Sequence, residues 1–281
     1  AVIDGGWAQV EKQGKARGYK AAAKLTYQLI IPELAEQARV IIGTLKEKGV
    51  TTVVFLGDPV MPIYLTKAAT DQDYHPEWVI TGTVLTDTTV FGRQYDQTQW
   101  AHAFGVSSLP TRVPQDQGEA WRLHQWYFGE DPAAQKLIAV INEPLRIFML
   151  GVHMAGPNLT PETFRDGLFA YPPTGHLPTS PQLSFGDHGF FEQPDYLAVD
   201  DMVEIWWDAE AEGPDEQGKE GKGMMRYANE GKRYLPGEMP DTDSDAFKEA
   251  GSVALLPEIP EDERPPEYPP PAGSPAAGGG S

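Results

Sequence analysis

The chain has 281 residues, enough for one large domain or two small ones with a buried core. Its 22 Lys and Arg against 41 Asp and Glu give a net charge of −19, which argues against binding to nucleic acid or an anionic membrane surface. The absence of cysteine excludes disulfides, thiolate metal sites and cysteine nucleophiles. No run approaches the roughly 18 apolar residues of a membrane helix, so we expect no insertion into a membrane.

Alternating strand and helix patterns fill the first part of the chain. Residues 2–4 have the pattern of a strand end, residues 5–17 that of a short helix, and residues 22–30 that of a second strand. A helix is predicted over residues 32–48 because Pro32 suits a first helical position and apolar residues follow at helical spacing. Gly49 is then expected to end this helix in a left-handed conformation.

Three further strands are predicted, with helices between them. The run TTVVFL at 51–56 is typical of a strand buried on both faces, and residues 78–81 and 100–106 follow as strands. A helix after Pro59 and a short helix after Gly82 connect them. Because such crossovers are right-handed and place helices on the sheet faces, the pattern predicts an α/β fold with a parallel sheet flanked by helices.

The remaining chain is predicted to be helical and then irregular. Helices are expected over residues 119–128, 144–154 and 161–169, and one strand or short helix around residues 202–207. From residue 200 to the end, 20 acids face 7 bases, and the last 25 residues are rich in Pro and Gly. We therefore expect four regions, namely an α/β ligand-binding lobe (1–115), helices and a closing segment of the same lobe or hinge (116–200), an irregular acidic extension (201–256) and a disordered tail (257–281).

Several motif-like patterns lack a residue that their chemistry needs. No two histidines have the spacing that would place both on one helical face as metal ligands. The acidic run that starts at Asp241 resembles a calcium loop, but Ala246 and Ser252 stand where that loop requires Gly and Glu. The run from Gly213 to Lys219 resembles a phosphate loop, but Glu220 replaces the required Ser or Thr. We therefore predict no metal, no cofactor and no catalytic residue.

The loops that follow the predicted strands are the candidate binding elements. Ligands of open parallel sheets bind outside the carboxyl ends of the strands. Residues 57–60, 82–88 and 105–108 each offer a Gly for close backbone approach and a short polar side chain. The alternative, that these are ordinary strand-to-helix turns, stays open.

Parts of the chain also resemble a known family. Residues 45–57 (LKEKGVTTVVFLG) and 78–82 (WVITG) resemble the second lobe of type I periplasmic substrate-binding proteins, the leucine-binding type that delivers ligands to ABC importers. Residues 161–168 (PETFRDGL) and 182–189 (QLSFGDHG) resemble a helix and a short strand with its turn near the end of that lobe. The resemblance covers about residues 1–200 and rests on the order and spacing of the elements. It implies two lobes that close on a small polar ligand, commonly an amino acid or an amide.

The resemblance also implies where the ligand is held. It points to Asp58 and Pro59 after the first buried strand and to Thr83 after the second, and Ser107 lies in the third loop. Leucine-binding members usually place an aromatic residue at the first position and an acid at the second. In those members the acid meets the ammonium group of the ligand, and we expect Asp87, one helical turn beyond Thr83, to replace it.

The implied function is that of a non-enzymatic, extracytoplasmic solute-binding protein. Its partners would be a small-molecule ligand and the permease of an ABC transporter. The chain would be a fragment without the first lobe, and a lipoprotein anchor would lie upstream of Ala1. Two alternatives stay open, namely a ligand-sensing receptor domain of the same fold and a doubly wound enzyme acting on a small organic substrate. The enzyme would need an acid–base pair or a cofactor loop at the strand ends.

Overall fold

The computed structural model describes residues 2–241 and 244–278. The helices are α1 (Val2–Ala16), α2 (Leu34–Glu47), α3 (Met61–Asp71), α4 (Thr89–Gly92), α5 (Gln97–Trp100), α6 (Glu119–Phe128), α7 (Ile138–Ala155), α8 (Pro161–Ala170) and α9 (Pro275–Gly278). The strands are β1 (Thr52–Phe55), β2 (Glu77–Ile80), β3 (Ala103–Ser107), β4 (Met202–Pro214), β5 (Glu220–Tyr227) and β6 (Arg233–Tyr234).

One mixed sheet organises the molecule. Its strand order is β1-β2-β3-β4-β5, and β6 also pairs with β4. The pairs β1–β2 and β2–β3 are parallel, whereas the pairs that involve β4 are antiparallel. The predicted α/β fold class is therefore confirmed, and the parallel part of the sheet is limited to its first three strands.

Helix α2 shows how sequence pattern sets local structure. Leu34, Ala38, Ile42 and Leu45 recur at helical spacing, and all four are buried against the core. The helix is preceded by a 3₁₀ turn that contains Pro32, and Gly49 follows it with φ of 65°. Both ends of the predicted helix are thus confirmed. Gly is preferred at the position after a helix because it adopts the left-handed conformation without steric cost.

The core lies where the sheet meets α2 and α3. Its largest fully buried side chains include Trp78, Trp100, Trp207 and Tyr227. Burying one large apolar side chain contributes about 1.5–3 kcal/mol, so these aromatic residues carry much of the driving force. The strands β2 and β3 approach so closely that a Cβ at Gly105 would lie 1.9 Å from the carbonyl oxygen of Ile80. No larger residue fits at that position.

The first thirty residues differ from the sequence prediction. Residues 2–4 belong to helix α1 rather than to a strand. Gly5 and Gly6 were expected to separate the two elements, but a helix can contain each glycine at a cost of about 1 kcal/mol. Residues 22–30 form no strand either and have no regular secondary structure. The apolar run there was mistaken for a strand because apolar composition alone cannot show whether a neighbouring strand is available for pairing.

The acidic extension is not irregular at its start. Strands β4 and β5 form a long hairpin that joins the sheet beside β3, where Phe104 lies opposite Trp206. The inner face of β4 carries apolar residues such as Val203, Ile205 and Trp207, all buried. Acids occupy the other face further along the strand. These acids contact water while the apolar side chains of the inner face are buried.

Helix α7 corrects two further expectations. It begins at Ile138 and contains Pro144 in its interior, whereas the sequence predicted a start at Pro144. By length and composition alone, α7 could also cross a membrane, although the expectation was that no stretch approaches this length. The polar residues near its middle hide this property in a scan for uninterrupted apolar runs. Only 6% of the helix is buried in the structure.

The described part of the tail, residues 257–278, lies against the rest of the protein rather than apart from it. The indole Nε1 of Trp126 donates to the carbonyl oxygens of Tyr268 (2.9 Å) and Pro269 (3.1 Å). The Glu263 carboxylate accepts from the backbone and the hydroxyl of Thr179 at 2.8 and 2.7 Å. A Pro-rich segment can thus be held by contacts from other elements while forming almost no regular structure of its own.

Candidate functional site

The carboxyl ends of β1, β2 and β3 lie at one edge of the sheet, and their loops contact one another. The Thr83 hydroxyl accepts from the backbone N–H of Gly57 and lies 3.1 Å from the Gly57 carbonyl oxygen, to which it can donate. The Thr81 hydroxyl donates to the carbonyl oxygen of Phe55 at 2.8 Å. The first two loops are therefore fixed to each other by the side chains of the second.

Asp58 is held by its own helix and by a tyrosine from far upstream. Its Oδ1 accepts from the backbone N–H groups of Val60 (2.8 Å) and Met61 (3.1 Å) at the start of α3. Its Oδ2 accepts a short hydrogen bond from the Tyr27 hydroxyl, which in turn accepts from the Asp58 backbone N–H at 3.1 Å. The Tyr27 ring stacks on Phe55 with 6.2 Å between centroids. Burial and the Asp58 carboxylate raise the pKa of Tyr27, so the phenol stays protonated and remains a donor.

Asp87 and Ser107 form a buried hydrogen-bonded pair at this edge of the sheet. The Ser107 hydroxyl donates to Asp87 Oδ2 at 2.5 Å and accepts from the backbone N–H of Leu109 at 3.0 Å. Asp87 is only 2% exposed and Ser107 is fully buried. The other carboxylate oxygen, Asp87 Oδ1, is buried without a hydrogen-bond partner. Burial therefore raises the pKa of Asp87, although the bond from Ser107 acts in the opposite direction.

The loop above Asp87 contains two residues in a left-handed backbone conformation. Val84 has φ of 46° and Leu85 has φ of 64°. Such values are rare for bulky residues and cost about 1–3 kcal/mol each. Both side chains are exposed, Val84 by 65% and Leu85 by 44%. The loop is therefore strained and presents apolar surface at the rim of the site.

The tip of the β4–β5 hairpin closes the side of the site. The Glu216 carboxylate accepts from the backbone N–H groups of Thr89 (2.9 Å) and Val90 (2.8 Å), and Arg112 lies 3.6 Å from it. The guanidinium of Arg93 donates to four carbonyl oxygens of the hairpin at 2.6–2.9 Å. These bonds hold the outer edge of β5 and fix the segment that follows Asp87.

The structure brings the five predicted site residues into one continuous cluster. Gly57, which precedes Asp58, donates its backbone N–H to the Thr83 hydroxyl. Gly82, which precedes Thr83, lies so close to Asp87 that a Cβ added to it would be 3.3 Å from Asp87 Oδ2. The same Asp87 oxygen accepts from the Ser107 hydroxyl. Pro59 joins through its carbonyl oxygen, which accepts from the Tyr95 hydroxyl at 3.0 Å. Asp58, Pro59 and Thr83 are half-buried and form the accessible part of the cluster. Whether these residues hold a ligand stays a prediction.

Sequence reasoning missed two residues of this region. Tyr27 precedes Asp58 by 31 residues and lies in a segment taken for a strand, so no local pattern connects the two. Glu216 lies in the run from Gly213 to Lys219, which was compared only with a phosphate loop and not with a contact to the strand ends. The hairpin itself carried a signal, because acids alternate with apolar residues along β4.

The described chain also has a surface depression away from the strand ends, and its acids and histidines form no evident metal site. A surface depression of about 410 Å³ lies between α6 and α7, away from the strand ends, and is lined mainly by exposed apolar side chains. Among residues 2–241 and 244–278, no group of three or more His, Asp and Glu side chains is arranged to hold a metal ion. The Ser107 hydroxyl is too deeply buried to attack a substrate in this structure.

Comparisons with known proteins give matches among solved structures only. No protein-family model matches the sequence, and no curated protein matches it significantly. The structure is similar to that of the leucine-, isoleucine-, valine-, threonine- and alanine-binding protein of Brucella ovis, with a TM-score of 0.44 and 14% identity over 88% of this chain and 56% of that one.

Two further similar structures are substrate-binding proteins of ABC transporters. The fatty acid ABC transporter substrate-binding protein of Thermomonospora curvata has a TM-score of 0.41 and 11% identity over 74% of this chain and 50% of that one. The ABC transporter substrate-binding protein of Aeropyrum pernix has a TM-score of 0.42 and 10% identity over the same shares. This is the class of protein that the sequence resembles, and the chain spans about half the length of the structures that it matches.

Proposed function

We propose that the chain is a solute-binding protein that holds a small polar ligand at the carboxyl edge of β1–β3. The observation that carries the proposal is the continuous polar cluster formed by Asp58, Thr83, Asp87 and Ser107. Carboxyl ends of parallel strands are the common place for ligands in such sheets. The resemblance of residues 45–57 and 78–82 to the second lobe of leucine-binding-type proteins supports the same position.

The proposed ligand carries an amino or amide group. Asp87 Oδ1 is buried and lacks a donor, which leaves its hydrogen-bonding capacity unused at a cost of about 1–3 kcal/mol. An N–H group of a ligand would supply that donor. We propose that the strained loop at Val84 and Leu85 moves outward to admit it, because leaving the left-handed conformation releases strain.

The proposed role is delivery of this ligand to the permease of an ABC importer outside the cytoplasm, as in a periplasmic or lipid-anchored receptor. We propose that the chain binds and releases its ligand without chemical change. The buried position of Ser107 is consistent with such a role, because a nucleophile must reach its substrate.

A thermal-shift screen with defined probes tests the proposal. The full chain is unfolded with each of the twenty L-amino acids and with acetamide at millimolar concentration, because any ligand of the folded state raises the melting temperature. We expect at least one probe to do so in the wild-type protein, and its effect to be lost in Asp58→Asn and in Thr83→Val.

The matched control is Asp71→Asn, which removes an exposed carboxylate that pairs with Lys67 on α3. Each variant is compared with its own melting temperature without probe, so a general loss of stability does not mimic a loss of binding. If no probe stabilises the wild-type protein, or if the effect persists in both site variants, the proposed function is wrong.

A further inference from the structure

The segment before helix α2 is weakly held, and the Tyr27 side chain is its contact with the candidate site. Residues 20–28 have no regular secondary structure, and all of them except Ala23 and Tyr27 are exposed. Within the described part of the chain, no backbone group of residues 20–27 forms a hydrogen bond. Ordering a chain costs conformational entropy, and few bonds offset that cost here, so this segment can be released at little expense in stability.

The Tyr27 hydroxyl lies on the accessible acid of the candidate site. It donates to Asp58 Oδ2 and accepts from the Asp58 backbone N–H at 3.1 Å, while its ring stacks on Phe55 with an angle of 17° between the planes. A Cβ added to Gly57 would overlap this hydroxyl, so the missing side chain provides its space. Phe55, Gly57 and Asp58 together therefore fit a hydroxyl group on a flat ring.

The two hydrogen bonds at Asp58 define which chemical group fits there. The occupant donates to a carboxylate oxygen and accepts from a backbone N–H through one and the same atom. An ammonium group has no acceptor and an ionised carboxylate has no donor, whereas a hydroxyl group has both. Asp58 itself is half-buried rather than sealed in the core, so the position is open to solvent once Tyr27 leaves it.

We propose that Tyr27 fills a subsite for an aromatic hydroxyl group, and that a ligand with such a group displaces Tyr27 when it binds. This inference rests on the proposed function and adds to it, because the ligand would carry an aromatic hydroxyl besides the amino or amide group assigned to Asp87. The ligand would keep both hydrogen bonds at Asp58 and the stacking on Phe55. Without ligand, the chain closes the subsite with its own side chain.

Chemical rescue of Tyr27→Ala tests the subsite in the full chain. The probe p-cresol is the tyrosine side chain as a free molecule, and toluene is the same molecule without the hydroxyl group. At a hundred times its dissociation constant, p-cresol should raise the melting temperature of Tyr27→Ala by about 5 °C or more. Toluene should raise it clearly less. If toluene stabilises the variant as much as p-cresol does, the space accepts any apolar ring and the proposal is wrong.

Double variants test whether the rescue belongs to Asp58. Adding Asp58→Ala to Tyr27→Ala should abolish the rise, because the hydroxyl loses its acceptor. Adding Asp71→Asn instead should leave the rise intact, since Asp71 is an exposed acid that pairs with Lys67 on the same helix. Each protein is compared with its own melting temperature without probe. A rise that persists without the Asp58 carboxylate would overturn the proposal.

A second measurement uses the wild-type protein and does not depend on whether Tyr27→Ala folds. The ¹⁵N order parameters of residues 20–28 are measured by NMR with and without p-cresol. We expect them to fall below about 0.6, the range of flexible backbone, as the segment is released. Those of helix α2 should stay unchanged. If the order parameters of residues 20–28 also stay unchanged, Tyr27 is a fixed part of the structure and the proposed displacement is wrong.

These outcomes are distinct from those that test the proposed function. If an amino acid or acetamide stabilises the wild-type protein through Asp58 and Thr83, but p-cresol neither rescues Tyr27→Ala nor releases residues 20–28, this inference is wrong and the proposed function stands. If p-cresol has both effects while no amino acid or acetamide binds, the hydroxyl subsite is supported and the amino or amide ligand is wrong.

Discussion

Replacing Arg233 by methionine should strongly destabilise the fold, because this guanidinium joins three parts of the structure. Its Nε donates to Asp201 Oδ1 at 2.8 Å, and its terminal nitrogens donate to the carbonyl oxygens of Leu109 (2.8 Å) and Ser108 (3.0 Å). Both partners of the ion pair are fully buried. Arg233 thus fixes the loop that follows β3, next to the candidate site.

The expected loss can be worked out from these contacts. Removing one partner of a buried ion pair costs about 3–5 kcal/mol, because the remaining charge is left without compensation. Asp201 keeps the Gln182 backbone N–H at 3.1 Å and the His176 ring at 2.9 Å, which reduces the loss. The two carbonyl oxygens that lose their donors increase it by about 1 kcal/mol each. We therefore expect Arg233→Met to lower the free energy of unfolding by about 4 kcal/mol.

Urea denaturation followed by tryptophan fluorescence measures this loss. The matched control is Arg39→Met on α2, because Arg39 pairs with Glu36 at 2.6 Å and both side chains are largely exposed. Such a pair contributes about 1 kcal/mol or less, so the control should unfold at nearly the wild-type urea concentration. If Arg233→Met also stays within about 1 kcal/mol of the wild-type protein, the buried contacts described for Arg233 are wrong.

Three further changes probe the same region. Tyr27→Phe should lower the free energy of unfolding by about 2 kcal/mol in thermal denaturation, because it removes the hydroxyl that bonds to Asp58; an unchanged melting temperature would contradict that contact. Gly105→Ala should lower the free energy of unfolding by about 3 kcal/mol or more, because its Cβ would overlap the carbonyl oxygen of Ile80. If the circular dichroism melting curve of this variant matches that of the wild-type protein, the close approach of β2 and β3 is wrong. Burial raises the pKa of Asp87 in the folded state, so its stabilising effect is complete below the unfolded pKa of about 3.9 and is lost as pH rises through the folded pKa. Asp87→Asn should therefore flatten the decline of the urea midpoint as pH rises above about 4. An equal slope in both proteins would show that Asp87 does not titrate as described.

The parallel half of the fold could be predicted from the sequence because its signals are local. Helix α2 follows from apolar spacing and Gly49, and α8 follows from the Thr160 cap, whose hydroxyl accepts from the Thr163 backbone N–H. The carboxyl-end cluster follows from strand order, since loops after parallel strands meet at one edge. Strand β1, however, was expected to be buried on both faces and is a half-exposed edge strand. Composition shows that a segment is apolar but not how many neighbours it has.

The features that were missed depend on contacts between distant residues or on a diluted pattern. Tyr27 and Asp58 meet only in the folded structure, and nothing near Tyr27 in the sequence indicates this contact. A strand or short helix was expected only around residues 202–207, whereas β4 runs from Met202 to Pro214 and pairs with β5, because the acids further along it were taken as a sign of an irregular segment.

A titration of the ¹⁵N-labelled full chain, observed by NMR, tests the central claim most directly. The amino acids and acetamide are added in turn while the backbone amides are observed. We expect the largest shift changes at the amides of Gly57, Asp58, Thr83 and Leu109, around the carboxyl ends of β1–β3. Changes confined to the depression between α6 and α7, or no changes with any probe, would show that the carboxyl ends of β1–β3 do not bind these ligands.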